Sequence, residues 1–478
     1  MNAVTMNADS LAASAPKTPD YARLVDERFG VVLALHPKQL EDDEPASLVS
    51  FHGWVNNSRK LGQWYGDRIS LGTSFNDPES ARRAAIGEAV ERYCGNFVPR
   101  TLRKATWNEL SNGGEKAIDP QRLALYSERQ YETRGFPFER FTRDLSVYWV
   151  AGSNLTTGDD AWVPASLVYP NYLIDALANE PRAHFVNLAG IATGISRGDA
   201  ERSALEELIE RDAVTVWWMS GGPARPLDLA SEPAVVAALA PTRTVDPQPL
   251  RYQLFEIENV FGVPVIGGLM RDPKHDLVAL GVACRPDPVT ASLKALAEAV
   301  HLRGYSREML EPEGRIWQMT ESGVLDARVY KPYRRDRHYA DDFRPDFRDV
   351  VDLGCHAQIY LDPRMEVHLQ RFQPSESPRP IRAVEGLSGE DKRDLRGTYL
   401  RKLSAEGLEA YSVDVTTSDV ASAGLSVVRV VVPGLYGNAP AAFPPLGGRR
   451  LYEDPVRLGW FSRPVDEDDV VLAPMPHT

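Results

Sequence analysis

Apolar and polar positions along this chain follow two periods, one of strands and one of helices. "FGVVLAL" (Phe29 to Leu35) is a short apolar run of strand character. "NDPES" places Asp77 as an N-cap and Pro78 at the first helical position, which predicts a helix from Asp77 to about Tyr93. "SVYWVAGSNLTTGDDAWVPASLV" predicts a β-hairpin that turns at "TTGDD". A second, longer helix is predicted from Asp199 to Met219. "RYQLFEIENVFGVPVIGGLM" and "DLVALGVACR" read as strands, and "TASLKALAEAVHLRGY" as a helix with Leu293, Leu296, Ala297 and Val300 as its apolar or small positions. "SVVRVVVPGLYG" predicts a buried strand ending at a turn. Strands and helices mix without regular βα alternation, so the predicted class is a mixed α/β (α+β) fold, not a doubly wound sheet.

The first residues are small and polar, and a disordered tail is expected over 1–25, ahead of one folded unit over 26–478. The stretch from Arg303 to Val350 is dense in charge and is expected at the periphery. A net charge of -13 argues against sequence-independent nucleic-acid binding, which runs on clustered Lys and Arg. Cys94, Cys284 and Cys355 are far apart and form no Cys-x-x-Cys or Cys/His cluster, so a reducing, cytoplasmic setting is expected. The N-terminus has no signal-peptide pattern, and no apolar run is long enough for a membrane span.

One short pattern occurs twice. "GEAVERYCG" and "LEELIERDA" both contain Glu-x-x-Glu-Arg: Glu88, Glu91 and Arg92, then Glu207, Glu210 and Arg211. The i,i+3 spacing puts each pair of acids on one helix face. Asp199 precedes Glu210 by eleven residues, three turns away on nearly the same face. On a solvated helix such a triplet needs no function, since its side-chain pairs contribute roughly 0.2–0.5 kcal/mol each. Here the flanks are apolar: Ala85, Ile86, Ala89 and Val90 in the first copy, "VTVWWM" after the second. Buried acids need partners, which leaves a divalent cation or an ion pair. The common nucleotide loops (Gly-x-x-x-x-Gly-Lys-Ser/Thr and Gly-x-Gly-x-x-Gly) are absent from the sequence, as is Gly-x-Ser-x-Gly.

Four blocks, "SARRAAIGEAVERY", "GIATGISRGDAERSALEELIERDA", "LVALGVACRPDPVTASLKALAEAV" and "VVRVVVPGL…LGGRRL", stand in the order of the YcaO superfamily. The resemblance runs from about Phe29 to the C-terminus. With "AWVPASLVY", the last blocks resemble the azoline-forming branch, the D-protein cyclodehydratases. The resemblance implies a large mixed α/β domain holding ATP and Mg²⁺ between helices. By residue matching, Glu88, Glu91, Glu207 and Glu210 correspond to the Mg²⁺ ligands, with Arg92 and Arg211 in the same motifs. Asp199 stands where the family has glutamate. Lys294 and Glu298 match a third motif, Arg-x-x-x-Glu, with lysine replacing a planar arginine fork. Ala84 and Ala189 replace a serine and an asparagine.

The activity so implied is ATP-dependent activation of backbone amides in a ribosomal precursor peptide, with Cys, Ser or Thr cyclised to thiazolines or oxazolines. Azoline-forming members end in a proline-rich tail that reaches the active site. Here the end is "APMPHT", which makes Pro474, Pro476 and His477 the candidate catalytic tail. Fewer than fifty residues precede the first matched strand, so a separate leader-peptide-binding partner is expected. The residues leave the oligomeric state open, a homodimer included. Two alternatives stand beside this reading. One is the same activation with sulfide or an amine as nucleophile, giving a thioamide or amidine. The other is a non-catalytic scaffold, suggested by Ala84, Ala189, Asp199 and Lys294.

Overall fold

The apolar runs become strands of three sheets, and the amphipathic stretches become helices laid across them. A computed structural model describes residues 19–56, 69–173, 177–241, 248–323, 325, 329–373 and 376–477. The first sheet is antiparallel, in the order β1 (Val32–Pro37), β2 (Leu48–Val55), β3 (Ile69–Phe75). A second sheet joins β4 (Arg103–Ala105), β5 (Val147–Asn154), β13 (Tyr411–Asp414), β14 (Ser426–Val431) and β7 (Ile191–Gly194), with β6 (Asp160–Pro164) paired to β5. A third runs β11 (Leu277–Cys284), β10 (Val265–Asp272), β9 (Arg251–Glu256), β8 (Arg225–Asp228), β12 (Arg379–Pro380). The class is therefore mixed α/β with largely antiparallel sheets.

The three longest helices among the described residues are α1 (Pro78–Gly95), α2 (Arg197–Ser220) and α3 (Pro288–Glu308). Asp77 caps α1 by accepting from Ser80 N, with Pro78 at the first position, as the sequence predicts. The helix lies on β2 and β3, and Gly72 permits the approach: a Cβ there would penetrate Ala81 O. The same device seats α3 on β10 and β11, where a Cβ at Gly281 would penetrate Ala295 O. Between the second and third sheets runs α2, with Leu205, Ile209 and Trp217 fully buried. All eight residues of β11 are buried, which explains its unbroken apolar run.

Four expectations change. First, α2 begins at Arg197, two residues early, because Ser196 is the N-cap: its Oγ accepts from Asp199 N at 3.1 Å. Second, the hairpin ends at Pro164, and "ASLV" turns as a short helix (Ala165–Val168) with Leu167 and Val168 buried. Third, residues 1–18 of the expected tail lie outside the described residues, whereas Tyr21–Leu24 form a 3₁₀ turn with Leu24 buried. Fourth, Arg303–Val350 is not peripheral throughout. Arg303 is fully buried, with Nε 2.8 Å from Asp272 and Nη2 2.5 Å from Asp43. Met309, Ile316, Trp317 and Tyr339 form a core cluster of their own with Leu361. Charge density misled here because several of the charges neutralise one another inside the fold.

Gly281→Ala should destabilise the protein by about 1–3 kcal/mol, since the new methyl group drives α3 off β11. Urea denaturation followed by circular dichroism measures this. An unchanged midpoint would mean that the helix shifts freely.

Candidate functional site

Each sheet ends in an edge strand whose outward amides, with that of Gly190, meet glutamates from the three long helices. Leu71 N on β3 donates to Glu88 Oε2 at 2.7 Å. Thr193 N on β7 donates to Glu91 Oε1 at 2.7 Å, and Gly190 N, just before β7, to Glu207 Oε2 at 2.9 Å. On β11, Val282 N donates to Glu298 Oε2 at 3.0 Å and Cys284 N to Glu210 Oε2 at 2.7 Å. Five carboxylates from α1, α2 and α3 are thus fixed by backbone donors, one oxygen apiece. The second oxygen of Glu88 meets Arg92 Nη2 at 2.5 Å, and that of Glu210 lies 3.7 Å from Arg211.

Their charges are felt across the cleft. Burial pushes Glu91 up to about 8, and Glu207 and Glu88 add to the rise, outweighing the Thr193 amide and Arg92. Glu210 is raised by burial and by Glu298, although Arg211 and Arg285 oppose this. Burial also works against charge on Glu298, but its interactions with His477, Arg211 and Lys294, and the Val282 amide, hold it below its ordinary value. The acids therefore form two groups, Glu88–Glu91–Glu207 and Glu210–Glu298. Arg211 is raised despite its burial, because Glu210, Glu298 and Glu207 surround it.

Asp199 stands apart, in the first turn of α2. Its carboxylate accepts from Ser196 Oγ at 2.6 Å, a capping role roughly 16 Å along the axis from Glu210. Ala84 is exposed, while Ala189 is buried beside the Gly190 staple. Lys294 is half-buried and faces a basic wall that the sequence reading missed. His52 is lowered to about 4 by burial, then by Arg315, Lys38 and His36. Burial lowers His301 further, with Lys38, His52, Lys294 and Arg315 adding to the effect. His301 Nδ1 is buried without a hydrogen-bond partner, and Arg315 Nε lies 3.3 Å from Glu308 Oε2.

The C-terminal segment is buried against β11 without forming a strand. Leu280 N on β11 donates to Pro476 O at 2.8 Å, and His477 Nδ1 donates back to Leu280 O at 3.0 Å. Tyr360 Oη donates to Pro474 O at 2.9 Å, and Trp218 Nε1 to Ala473 O at 2.8 Å. The Arg211 guanidinium donates to His477 Nε2. Both ring nitrogens of His477 are thereby engaged. Burial first, then Arg211, lowers it to about 4. In this docked state His477, expected in the candidate catalytic tail, engages Arg211 and Leu280 O through its two ring nitrogens, which makes it a positioning residue. Pro474 and Pro476 likewise contribute docking carbonyls. Thr478 lies outside the described residues.

Arg429 was also missed, although a lone arginine within "VVRVVV" is a visible signal. It is 1 % exposed. Its Nε and Nη1 donate to Leu167 O and Leu188 O at 3.0 and 3.1 Å, and Nη2 donates to Asn187 O. These bonds hold the loop whose Gly190 amide fixes Glu207. Among the described residues, the one group of three potential ligands within 4.8 Å of one another is Asp43, Asp272 and His275. Arg303 already fills it as the cation.

The family model described as YcaO cyclodehydratase, ATP- and Mg²⁺-binding, matches residues 74–436. The chain belongs to the YcaO family. Its cofactors are ATP and Mg²⁺. A relative from Rhizobium leguminosarum bv. trifolii, an uncharacterized protein in the tfuA 3′ region, is 25% identical over 412 residues, 83% of this chain and 82% of that one. The fold resembles a heterocyclase solved with substrate and cofactor, at a TM-score of 0.70 and 21% identity over 95% of this chain. This YcaO chain spans 56% of that longer protein. It also resembles the YcaO of Methanopyrus kandleri bound with AMPPCP and Mg²⁺, at a TM-score of 0.53 and 18% identity, covering 86% of this chain and 89% of that one. The residues here fit such cofactors. Stapled carboxylates offer the oxygen donors that Mg²⁺ takes, burial raises Glu91 in the absence of a cation, and His301 Nδ1 is buried without a hydrogen-bond partner on the helix that carries Lys294.

Glu91 titrates near pH 8 in the fold and at about 4.3 in the unfolded chain. Between these values the unfolded state sheds the proton first, so the group costs stability increasingly as pH rises. Glu91→Gln should therefore stabilise the ligand-free protein by roughly 2 kcal/mol at pH 8, allowing for solvent screening, and leave it unchanged at pH 4. Guanidinium melts at both pH values read this. A stability loss at pH 8 would mean that Glu91 is ionised and already compensated.

Proposed function

We propose that this YcaO protein is an ATP-dependent cyclodehydratase that activates backbone amides of a ribosomal precursor peptide. It converts Cys, Ser or Thr side chains into azolines, together with a separate leader-binding protein. The observation that carries the reading is the set of five stapled glutamates beside a docked C-terminus. An acidic cleft without a cation is unfavourable, since like charges 4 Å apart repel by about 4 kcal/mol at an effective dielectric of 20. Bound ATP supplies the phosphoryl group that turns the amide oxygen into a leaving group, with Mg²⁺ spreading its charge.

The chain's own residues hold and orient. Glu88, Glu91 and Glu207 hold one cation region, and Glu210 with Glu298 the other. Lys294 and Arg211 face phosphate oxygens, Lys294 as a point charge rather than a fork. His477 keeps Arg211 aimed by accepting its proton donor, and β11 fixes His477 in turn. Arg429 sets the loop that carries the Glu207 staple. Asp199 has a capping role here, so the cation site does not depend on it. A thioamide or amidine product remains the competing outcome, because amide activation is the same step and only the nucleophile differs.

Titration calorimetry should show ATP binding that requires Mg²⁺ and falls at least about tenfold in Glu210→Gln and in Lys294→Ala. Unchanged affinity in both variants would refute the cleft as the nucleotide site. Mass spectrometry of a reacted precursor peptide separates loss of one water per ring from exchange of oxygen for sulfur.

Deleting residues 474–478 should abolish peptide modification. It should also lower the thermal midpoint by several degrees, because the segment covers the β11 edge and buries Met475. A truncated protein of full stability and activity would show that the docked end is dispensable.

A further inference from the structure

Two uncharged spaces share walls with α2, the first also with the loop ahead of β7 and the second with the C-terminal segment Ala473–Met475. The first, a cavity of about 90 Å³, has walls that include Tyr126, Phe185, Leu208, Tyr436 and Phe443. The aromatic side is built in layers: Tyr126 stacks on Phe138 at 4.9 Å, Phe138 meets Phe443 edge-on at 5.1 Å, and Phe185 lies 5.8 Å from Phe443. A second space of about 50 Å³ is walled by Trp218, His356 and the segment Ala473–Met475. Asn438, Ala439 and Pro445 line both, so the two spaces are neighbours. Neither is lined by Asp, Glu, Lys or Arg. In a chain with 25% charged residues, that lining cannot serve phosphates or a charged side chain.

The first space is built from the elements that carry the acids. Leu208 follows Glu207 on α2. The wall segment Phe185–Asn187 leads into Gly190, whose amide holds Glu207, and Arg429 ties down the carbonyls of Asn187 and Leu188. Phe185 N donates to Tyr126 Oη at 2.9 Å, and His184 bridges Ser166 Oγ at 2.9 Å and Phe185 O at 2.8 Å, so the wall is preformed. The Asn187 amide is the half-exposed polar group on the acid side of this space.

Resting on the proposed peptide activity, we propose that these two spaces seat the substrate chain beside the reacting residue and select a bulky apolar or aromatic flanking side chain. In an extended peptide, side chains two residues apart share one face at a spacing of roughly 6.6 Å. One such side chain enters between Tyr126, Phe185 and Phe443, and the chain continues over Ala439 toward the docked C-terminus. The modified residue then lies next to the Glu207 end of the cleft. Arg and Lys side chains are excluded as well as acidic ones, because the lining offers no counter-charge.

The test uses the full chain and fluorine NMR. The probe is N-acetyl-(4-trifluoromethyl-Phe)-Cys-Gly amide, and the competitors are N-acetyl-Phe-Cys-Gly amide and N-acetyl-Asp-Cys-Gly amide. The probe should broaden on binding and be released by the Phe competitor, with the Asp competitor at least about tenfold weaker. Ala439→Trp, which fills the junction of the two spaces without touching the core, should weaken the probe about tenfold, and Phe185→Ala several-fold. Mg²⁺-dependent ATP affinity should be unchanged in both variants. No probe binding to the wild type, equal competition by the two peptides, or undiminished binding to Ala439→Trp would each overturn the assignment. Failure of the wild type to bind Mg²⁺ and ATP would instead overturn the activity on which it rests.

Discussion

An unpaired amide on a strand edge has to be answered, and in this protein glutamate answers it. Edge strands β3, β7 and β11 come from three different sheets. Their outward N–H groups, with that of Gly190, are taken by Glu88, Glu91, Glu207, Glu298 and Glu210 from three helices. A buried donor left unmet costs about 1–3 kcal/mol, so these bonds hold each helix in register with a sheet edge. The same bonds aim the acids into one cleft. Fold and site therefore share their anchors, and removing a whole glutamate side chain loses both a strand cap and a cation ligand. Exchanging it for glutamine keeps the acceptor and loses only the charge.

The edge of β11 shows the economy of the arrangement. Three successive outward amides, at Leu280, Val282 and Cys284, serve the C-terminal segment, Glu298 and Glu210 in turn. An otherwise open edge is covered without adding a strand. The chain end is thereby placed against Arg211 through His477. A change in how the end docks would be felt at Arg211, and through it by Glu210, Glu298 and Glu207, which all act on its charge.

Opposing charges meet within the site: Arg92 lies against Glu88, Arg211 beside Glu210, and Lys294 acts on Glu298. Acids on α1, α2 and α3 confront Lys294 and the His52–His301–Lys38–Arg315 wall, where burial keeps both histidines unprotonated near neutrality. Elsewhere the chain neutralises buried charge internally, as Arg303 does with Asp272 and Asp43. The contrast separates the two kinds of acidic group. One carries its own guanidinium. The other is held by backbone amides, with Glu91 pushed toward protonation.

The sequence by itself determined a good deal. Asp77 and Pro78 start α1 through local hydrogen bonding and a preset φ, and an i,i+3 repeat fixes which acids share a face. The order of four blocks carried the family, because motif identity survives without coordinates. Long-range pairing was not legible. Nothing local joins Glu210 to Cys284, or Glu91 to Thr193, since those bonds depend on which strand forms each sheet's edge. Asp199 looked like a ligand by helical phase and by its match to a family glutamate; in the structure its carboxylate accepts from Ser196 in the first turn of α2. Arg429 was visible as a charge within an apolar strand, but its partners are carbonyls far away in sequence. The chain end showed only two prolines and a histidine. Its burial was decided by the vacant edge of β11, a feature that exists only once the third sheet has formed.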